Sequence, residues 1–157
     1  MKKDFIYSIA CLTFVIMIGG AVYEHMNIVP RWAAAPPVSL AMFQGEYGLN
    51  PELFWMTTHP INIILFLVNL ALYWKSPRRK PIAIVLITYV IILAITAIYF
   101  VPELLSIITS PFSTNIDSSL TSRAKLWETL SLVRLGVLLV LAIILLLGLT
   151  KPQNNKQ

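Results

Sequence analysis

Charge is what this chain has least of. Of its 157 residues, 12% are Asp, Glu, Lys or Arg and 57% are hydrophobic, where a soluble domain carries about 25% charged residues. That scarcity excludes an ordinary soluble domain and points to an integral membrane protein whose length suits one bundle. Cysteine is nearly absent as well. Cys11 stands alone inside an apolar run, so an intrachain disulfide is excluded and packing is its expected role. The chain has no glycine-rich phosphate loop, no paired-cysteine metal motif and no nucleophile elbow, which argues against ATP-driven work. No Glu-x-x-His pair falls on an apolar run, so the di-iron bundle signature is missing too. The net charge of +5 is not a nucleic-acid signal, because where the charges sit matters more than their sum.

What is present is four apolar runs, at about residues 5–23, 54–74, 81–101 and 127–148. Each is close to the ~20 residues that cross a bilayer core. The expected fold is all-α, a four-helix transmembrane bundle forming one domain over residues 1–150, with both termini cytoplasmic. A loop cap over residues 26–50 lies on the other side, and a disordered cytoplasmic tail follows over 151–157. Met1-Lys2-Lys3-Asp4 before the first run imitates a signal peptide, and Ile18-Gly19-Gly20-Ala21 supplies small residues near a cleavage point. Retention as an anchor is expected, because Glu24 and His25 belong with polar residues further on. Gly19 and Gly20 also leave a smooth surface for a neighbouring helix.

Punctuation refines the spans. Val38 to Phe43 is apolar but too short to cross, so it lies at the interface or folds back over the bundle. Asn50-Pro51-Glu52 reads as a helix start, with Asn50 as cap and Pro51 at the first helical position. Pro60 falls inside the second span and should bend it beside His59. Pro102 is expected to interrupt the third span, leaving residues 104–116 as a loop. A polar helical lead-in from about Asp117 joins the fourth span.

Orientation follows from the basic residues. With the N-terminus inside, Lys2, Lys3, Lys75, Arg78, Arg79, Lys80, Lys151 and Lys156 are cytoplasmic, against Arg31, Arg123, Lys125 and Arg134 outside. That satisfies the positive-inside rule, and the reverse orientation violates it. The acids run the other way: Asp4 alone is inside, while Glu24, Glu46, Glu52, Glu103, Asp117 and Glu128 gather outside with both histidines. Any chemistry is therefore expected at the outer end. Ionisable groups in a membrane are expensive and must pair or line water, so Arg134 is expected to pair with Glu103 or Glu24.

Three functional readings remain open on the residues. His59 is either a structural imidazole bonded to a carbonyl that Pro60 frees, or a proton acceptor facing a cavity. Glu24, His25, His59, Glu103 and Glu128 also compose a metal-ligand set, and two histidines on neighbouring spans offer axial ligands for haem. Arg134 is either half of a bundle-locking ion pair or a stabiliser of an anion at a flat aromatic pocket. Tyr99, Phe100, Trp32, Trp55 and Trp127 are available as apolar walls.

The order of motifs adds a resemblance. A long first outer loop, Pro30-Arg31-Trp32 after the first span and His59-Pro60-Ile61-Asn62 in the second resemble the anthrone oxygenase-like membrane family. So do Tyr99-Phe100-Val101-Pro102-Glu103 closing the third span and the run from Lys125-Leu126-Trp127-Glu128 to Leu132-Val133-Arg134 opening the fourth. The likeness covers residues 5–148. It implies oxidation of an anthrone to an anthraquinone by O2 with no cofactor, with His59 as base, Asn62 orienting it and Arg134 stabilising the enolate oxygen. Trp32 and Trp127 would stack on the substrate. Glu24, His25 and Glu103 are, on the residues themselves, the further candidates for substrate contact. The leading expectation is therefore an oxygenase-like enzyme of the bacterial cytoplasmic membrane, with a polar cavity on the non-cytoplasmic side. Its partners would be a hydrophobic small molecule and the bilayer, not nucleic acid. The rivals are a non-catalytic membrane subunit, docked as a homo-oligomer or on another membrane protein, and a haem or metal carrier.

Overall fold

All four apolar runs fold as helices, and their buried faces are set by helical spacing. The computed structural model describes residues 2–152. Helix α1 (Lys2–Asn27) buries Tyr7, Ala10, Cys11, Phe14, Met17, Ile18 and Ala21, one stripe at the spacing of three and four residues that stacks side chains on one face. The short α2 (Val29–Trp32) and a 3-10 helix (Val38–Phe43) follow, then α3 (Glu52–Leu72). Helix α4 (Arg79–Ile95) passes through a π-helical turn (Thr96–Phe100) into α5 (Val101–Ile108), and α6 (Ser118–Leu149) closes the chain. There are no strands among the described residues. Four continuous helical stretches, Lys2–Trp32, Glu52–Leu72, Arg79–Ile108 and Ser118–Leu149, are long and apolar enough to cross a membrane. The protein is a helical membrane bundle.

The burial pattern of α3 is inverted relative to a soluble helix. Its buried residues are Asn62, Phe66 and Asn69, while Ile61, Ile64, Leu67 and Val68 are exposed. In lipid the apolar side chains need no protein cover, and polar side chains must face a neighbour. Helix α1 packs between α3 and α6, and α4 closes the ring on their far side. The pairs run antiparallel. Tyr7 Oη donates to Leu145 O at 2.8 Å, Asn69 Nδ2 to Ile6 O at 3.4 Å, and Trp127 Nε1 to Phe100 O at 2.9 Å.

At the end that holds both termini, Arg78 ties the bundle together. Its Nη1 donates to Asp4 Oδ1 at 2.6 Å and to Tyr73 Oη at 3.3 Å, its Nη2 to Leu149 O at 2.9 Å, and its Nε to Lys151 O at 2.6 Å. A guanidinium at the last carbonyls of α6 also suits the helix dipole. Ser76 Oγ donates to Pro152 O, so the first two residues of the expected disordered tail have bonded carbonyls. Residues 153–157 of that tail lie outside the described residues.

At the other end a small second core forms the cap. Val29, Trp32, Ala33 and Leu40 pack with Phe100, Ile107, Ala124 and Trp127. The Val38–Phe43 segment thus folds back over the bundle and buries Leu40. Asn50 Oδ1 accepts from Glu52 N at 3.0 Å, which makes it the side-chain cap of α3, one residue before the Pro51 boundary. Asp117 caps α6 through Ser119 N and Leu120 N.

Helix α3 contains Pro60 and continues past it. One expectation about proline is revised. Pro102 does not end the third span, because the helix continues to Ile108 and the loop begins after it. Proline lacks an N–H and its ring crowds the carbonyl four residues back. That carbonyl belongs to Ile98, inside the π-helical turn, where the backbone is already widened.

Glycine marks two close approaches. A Cβ at Gly148 would meet Tyr7 Oη, with Pro81 Cγ at 3.1 Å, whereas one at Gly136 would meet nothing within 4 Å. Gly20 faces the ring of Phe54, but Gly19 faces open space, so one glycine of the pair does the work expected of both. Gly148→Ala is expected to displace the Tyr7 hydroxyl from Leu145 O and to cost about 1–3 kcal/mol, as overpacking does. Thermal unfolding in detergent checks this, with Gly136→Ala holding the wild-type midpoint.

Candidate functional site

The polar residues of α3 share one face. Trp55, Thr58, His59 and Asn62 fall at the spacing that brings side chains together on a helix, and they meet α1 and α4. His59 Nδ1 lies 2.6 Å from Tyr89 Oη on α4. The His59 ring stacks on Trp55, with centroids 5.4 Å apart and planes at 24°. The indole Nε1 of Trp55 donates to Glu24 Oε1 on α1 at 3.1 Å. One turn deeper, fully buried Asn62 accepts from Thr13 Oγ1 at 3.0 Å and donates to Thr58 O at 2.9 Å. Both ends of its amide are thus engaged inside the bundle.

Arg134 enters the same region from α6. Its Nη1 donates to Thr96 Oγ1 at 3.0 Å and its Nη2 to Ser131 Oγ at 2.9 Å. The guanidinium carbon stands 4.1 Å from the centroid of the Phe100 ring, a cation–π contact. Thr96 and Phe100 are the first and last residues of the π-helical turn, so that turn builds most of the arginine's surroundings. The charge of Arg134 acts on Glu24 and on His59. Among the described residues, however, no carboxylate reaches it at ion-pair distance.

The expected pairing of Arg134 with Glu103 is therefore corrected. Glu103 is held by Arg123, with Nε–Oε1 at 2.7 Å and Nη2–Oε2 at 3.0 Å, and Ser106 Oγ accepts from the same guanidinium at 2.8 Å. The register explains it. Thr96 faces Arg134, Phe100 faces Trp127 and Glu103 faces Arg123 as the antiparallel helices advance. Pairing with Glu103 would need Arg134 eleven residues nearer the cap, about 16 Å along the helix. The pairing of Arg134 with Glu24 reduces to electrostatic action without contact.

Other expected site residues sit apart from the cluster. His25 Nδ1 bonds to Ala21 O at 2.9 Å within α1, and its Nε2 is buried without a partner among the described residues. Glu128 is paired to Lys125 at 2.9 Å. The five-residue metal-ligand set is thus dispersed, and among the described residues no three His, Cys, Asp or Glu are placed to hold a metal ion. Trp32 and Trp127 meet each other edge-to-face at 5.4 Å inside the cap core. Trp127 also lies against Phe100, which connects the cap to the arginine.

Tyr89, Thr96, Ser131 and Thr13 complete the site and were not singled out in the sequence. Each is a hydroxyl in an apolar run. Ser131 stands three residues before Arg134, a spacing that signals a shared face.

No family model, curated protein or solved structure matches the chain. The case for a function accordingly rests on the residues and their geometry.

The Thr13–Asn62 bond joins α1 to α3 within the bundle. A double-mutant cycle with Thr13→Val and Asn62→Leu, read by unfolding in mixed micelles, is expected to show a coupling of about 0.6 kcal/mol and no more than about 1.7, the range of interhelical bonds in membrane bundles.

Proposed function

We propose that the chain is a membrane enzyme that binds a flat, hydrophobic aromatic molecule beside His59 and Arg134. It removes a proton from an activated ring carbon and lets dioxygen oxidise the resulting anion. The observation that carries this reading is the condition of Arg134. A guanidinium has five N–H donors, and among the described residues two hydroxyls and a ring face are its contacts, with no carboxylate at ion-pair distance. A cation left in that condition inside a membrane bundle suits an anion that forms during a reaction. A preorganised donor set costs no reorganisation when charge develops on an oxygen.

The motif resemblance to anthrone oxygenase-like proteins supplies the chemistry. A ring CH2 flanked by aromatic rings and conjugated to a carbonyl loses a proton to a base, and its charge spreads to the carbonyl oxygen. Dioxygen adds to the carbanion, the peroxide takes up the proton, and loss of water leaves a second carbonyl. One CH2 and one O2 thus become one C=O and one H2O, with no cofactor required. Asn62 enters this reading as a positioning residue that fixes α1 against α3. The excess of basic residues at the terminal end supports cytoplasmic termini, which puts the site toward the non-cytoplasmic leaflet of a bacterial cytoplasmic membrane.

The test is turnover of anthrone by purified protein in lipid nanodiscs, followed by quinone absorbance and oxygen uptake. One O2 should be consumed per quinone formed. Arg134→Gln and His59→Gln are each expected to lower kcat by about 10²-fold or more, while exposed Lys80→Ala retains the wild-type rate. Absence of oxygen uptake with anthrone and other fused-ring ketones would overturn the enzymatic reading in favour of a non-catalytic subunit.

A further inference from the structure

Tyr89 is the residue that fixes which role His59 can play. It is fully buried, with its ring edge-on to Phe14 and Phe66 at 5.4 and 5.8 Å. Its hydroxyl has one hydrogen-bond partner among the described residues, His59 Nδ1. A neutral imidazole carries one donor and one acceptor nitrogen, and the partner of one nitrogen dictates the tautomer. The two tautomers leave different groups unsatisfied. With hydrogen on Nδ1, the Tyr89 O–H loses its acceptor and the Nε2 lone pair is also idle. With hydrogen on Nε2, Tyr89 donates to Nδ1 and the Nε2–H alone is left over. Tyr89 is fully buried and His59 only partly so, and leaving the buried donor unmade is the costlier choice, so the second arrangement prevails.

An Nε2–H cannot take a proton from a substrate, but it can donate to an oxygen on which charge develops. The base must then be another group at the site, and Glu24 is placed for it. Its Oε1 accepts from the Trp55 indole, whose ring lies on His59, and its Oε2 has no hydrogen-bond partner among the described residues. Arg134 acts on both Glu24 and His59, so the three groups share one electrostatic neighbourhood.

We infer that Glu24 is the base, and that His59, held as its Nε2–H tautomer by Tyr89, is an oxyanion donor beside Arg134. This assignment rests on the oxidation reading above and reverses the role the motif resemblance implies for His59. The Glu24 carboxylate takes the ring-carbon proton, and the enolate oxygen accepts from His59 Nε2–H and the guanidinium. The carbanion bonds to dioxygen, which is reduced to the peroxide level. Glu24 returns its proton to the terminal peroxide oxygen, and elimination of water completes the carbonyl. Tyr89 acts through His59 and is a positioning residue.

Two measurements separate this inference from the oxidation reading. The first is 15N NMR of histidine-labelled protein in nanodiscs. The chain has two histidines, so His25→Gln leaves His59 as the sole imidazole and His59→Gln confirms the assignment. The expected spectrum has hydrogen on Nε2 and an acceptor-type Nδ1, and Tyr89→Phe converts it to a mixture of tautomers. Hydrogen on Nδ1 overturns the assignment of His59, whether or not turnover is seen. The second is kinetics with anthrone. Glu24→Gln, whose side-chain oxygen still accepts from Trp55, is expected to lower kcat by about 10²-fold with little change in KM, and Glu24→Asp to restore part of it. A folded Glu24→Gln protein with wild-type kcat overturns Glu24 as base. If the wild-type protein shows no turnover, Glu24 as base falls with the oxidation reading, and the NMR result still decides the tautomer.

Discussion

A guanidinium carried on an apolar helix must be solvated by protein, and the cap-side half of this bundle is arranged around that need. On membrane-insertion scales an arginine near a helix centre costs about 2.5–3.5 kcal/mol. Here two hydroxyls and the face of Phe100 offset part of that cost. Thr96 and Phe100 come from the π-helical turn, which inserts one residue into a helical turn. An extra residue rotates everything after it by about 100°. Glu103 is thereby turned to Arg123, and Trp127 is able to donate to the Phe100 carbonyl. The helical irregularity, the tolerated Pro102 and the hydroxyl-held arginine are three aspects of one local solution.

Arg78 and Arg134 show what distinguishes a fastening from a site. Arg78 commits each of its three nitrogens, to Asp4, Tyr73 and the carbonyls of Leu149 and Lys151, and it ties both chain ends together. Among the described residues, Arg134 leaves donors over. Between them, Phe14, Phe66 and Tyr89, each fully buried, meet edge-to-face at 5.2 to 5.8 Å. This aromatic layer separates the polar groups around His59 from those around Tyr7, Asn69 and Arg78. Tyr89 belongs to both levels: its ring packs in the layer and its hydroxyl reaches the imidazole. The rigidity of the layer is thus passed directly to His59.

Much of the fold was legible because a membrane helix announces itself by length and composition. The four runs and the helical lead-in from about Asp117 follow from residues read singly or in short patterns, whereas Val38–Phe43 reads equally as interfacial or back-folded and only its packing decides. His59, Asn62 and Arg134 stood out for the same reason, as costly groups in apolar runs. Their partners did not. Tyr89, Thr96 and Ser131 carry hydroxyls that membrane helices tolerate widely, and only the register between helices shows which of them face inward. Register also decided the arginine pairing. The antiparallel register sets Thr96 against Arg134 and Glu103 against Arg123, which no reading of either helix alone supplies. Proline is more frequent in membrane helices than in soluble ones, because neighbouring helices re-satisfy the backbone groups it frees.

The arrangement of the indoles bears on which ring a flat substrate would meet. Trp32 and Trp127 are 1% and 6% exposed and are packed on each other in the cap core. The Trp127 N–H is committed to a carbonyl. To lie against a ligand, either ring would have to leave a core that holds α2, the 3-10 helix and α6 together. Trp55 is placed differently. It is partly buried, bonded to Glu24 at one edge and stacked on His59, so it already touches two of the three groups to which the chemistry is assigned. On the proposed reading, Trp55 is the aromatic surface at the reacting centre. The cap tryptophans act at one remove, by fixing Phe100 and through it the guanidinium.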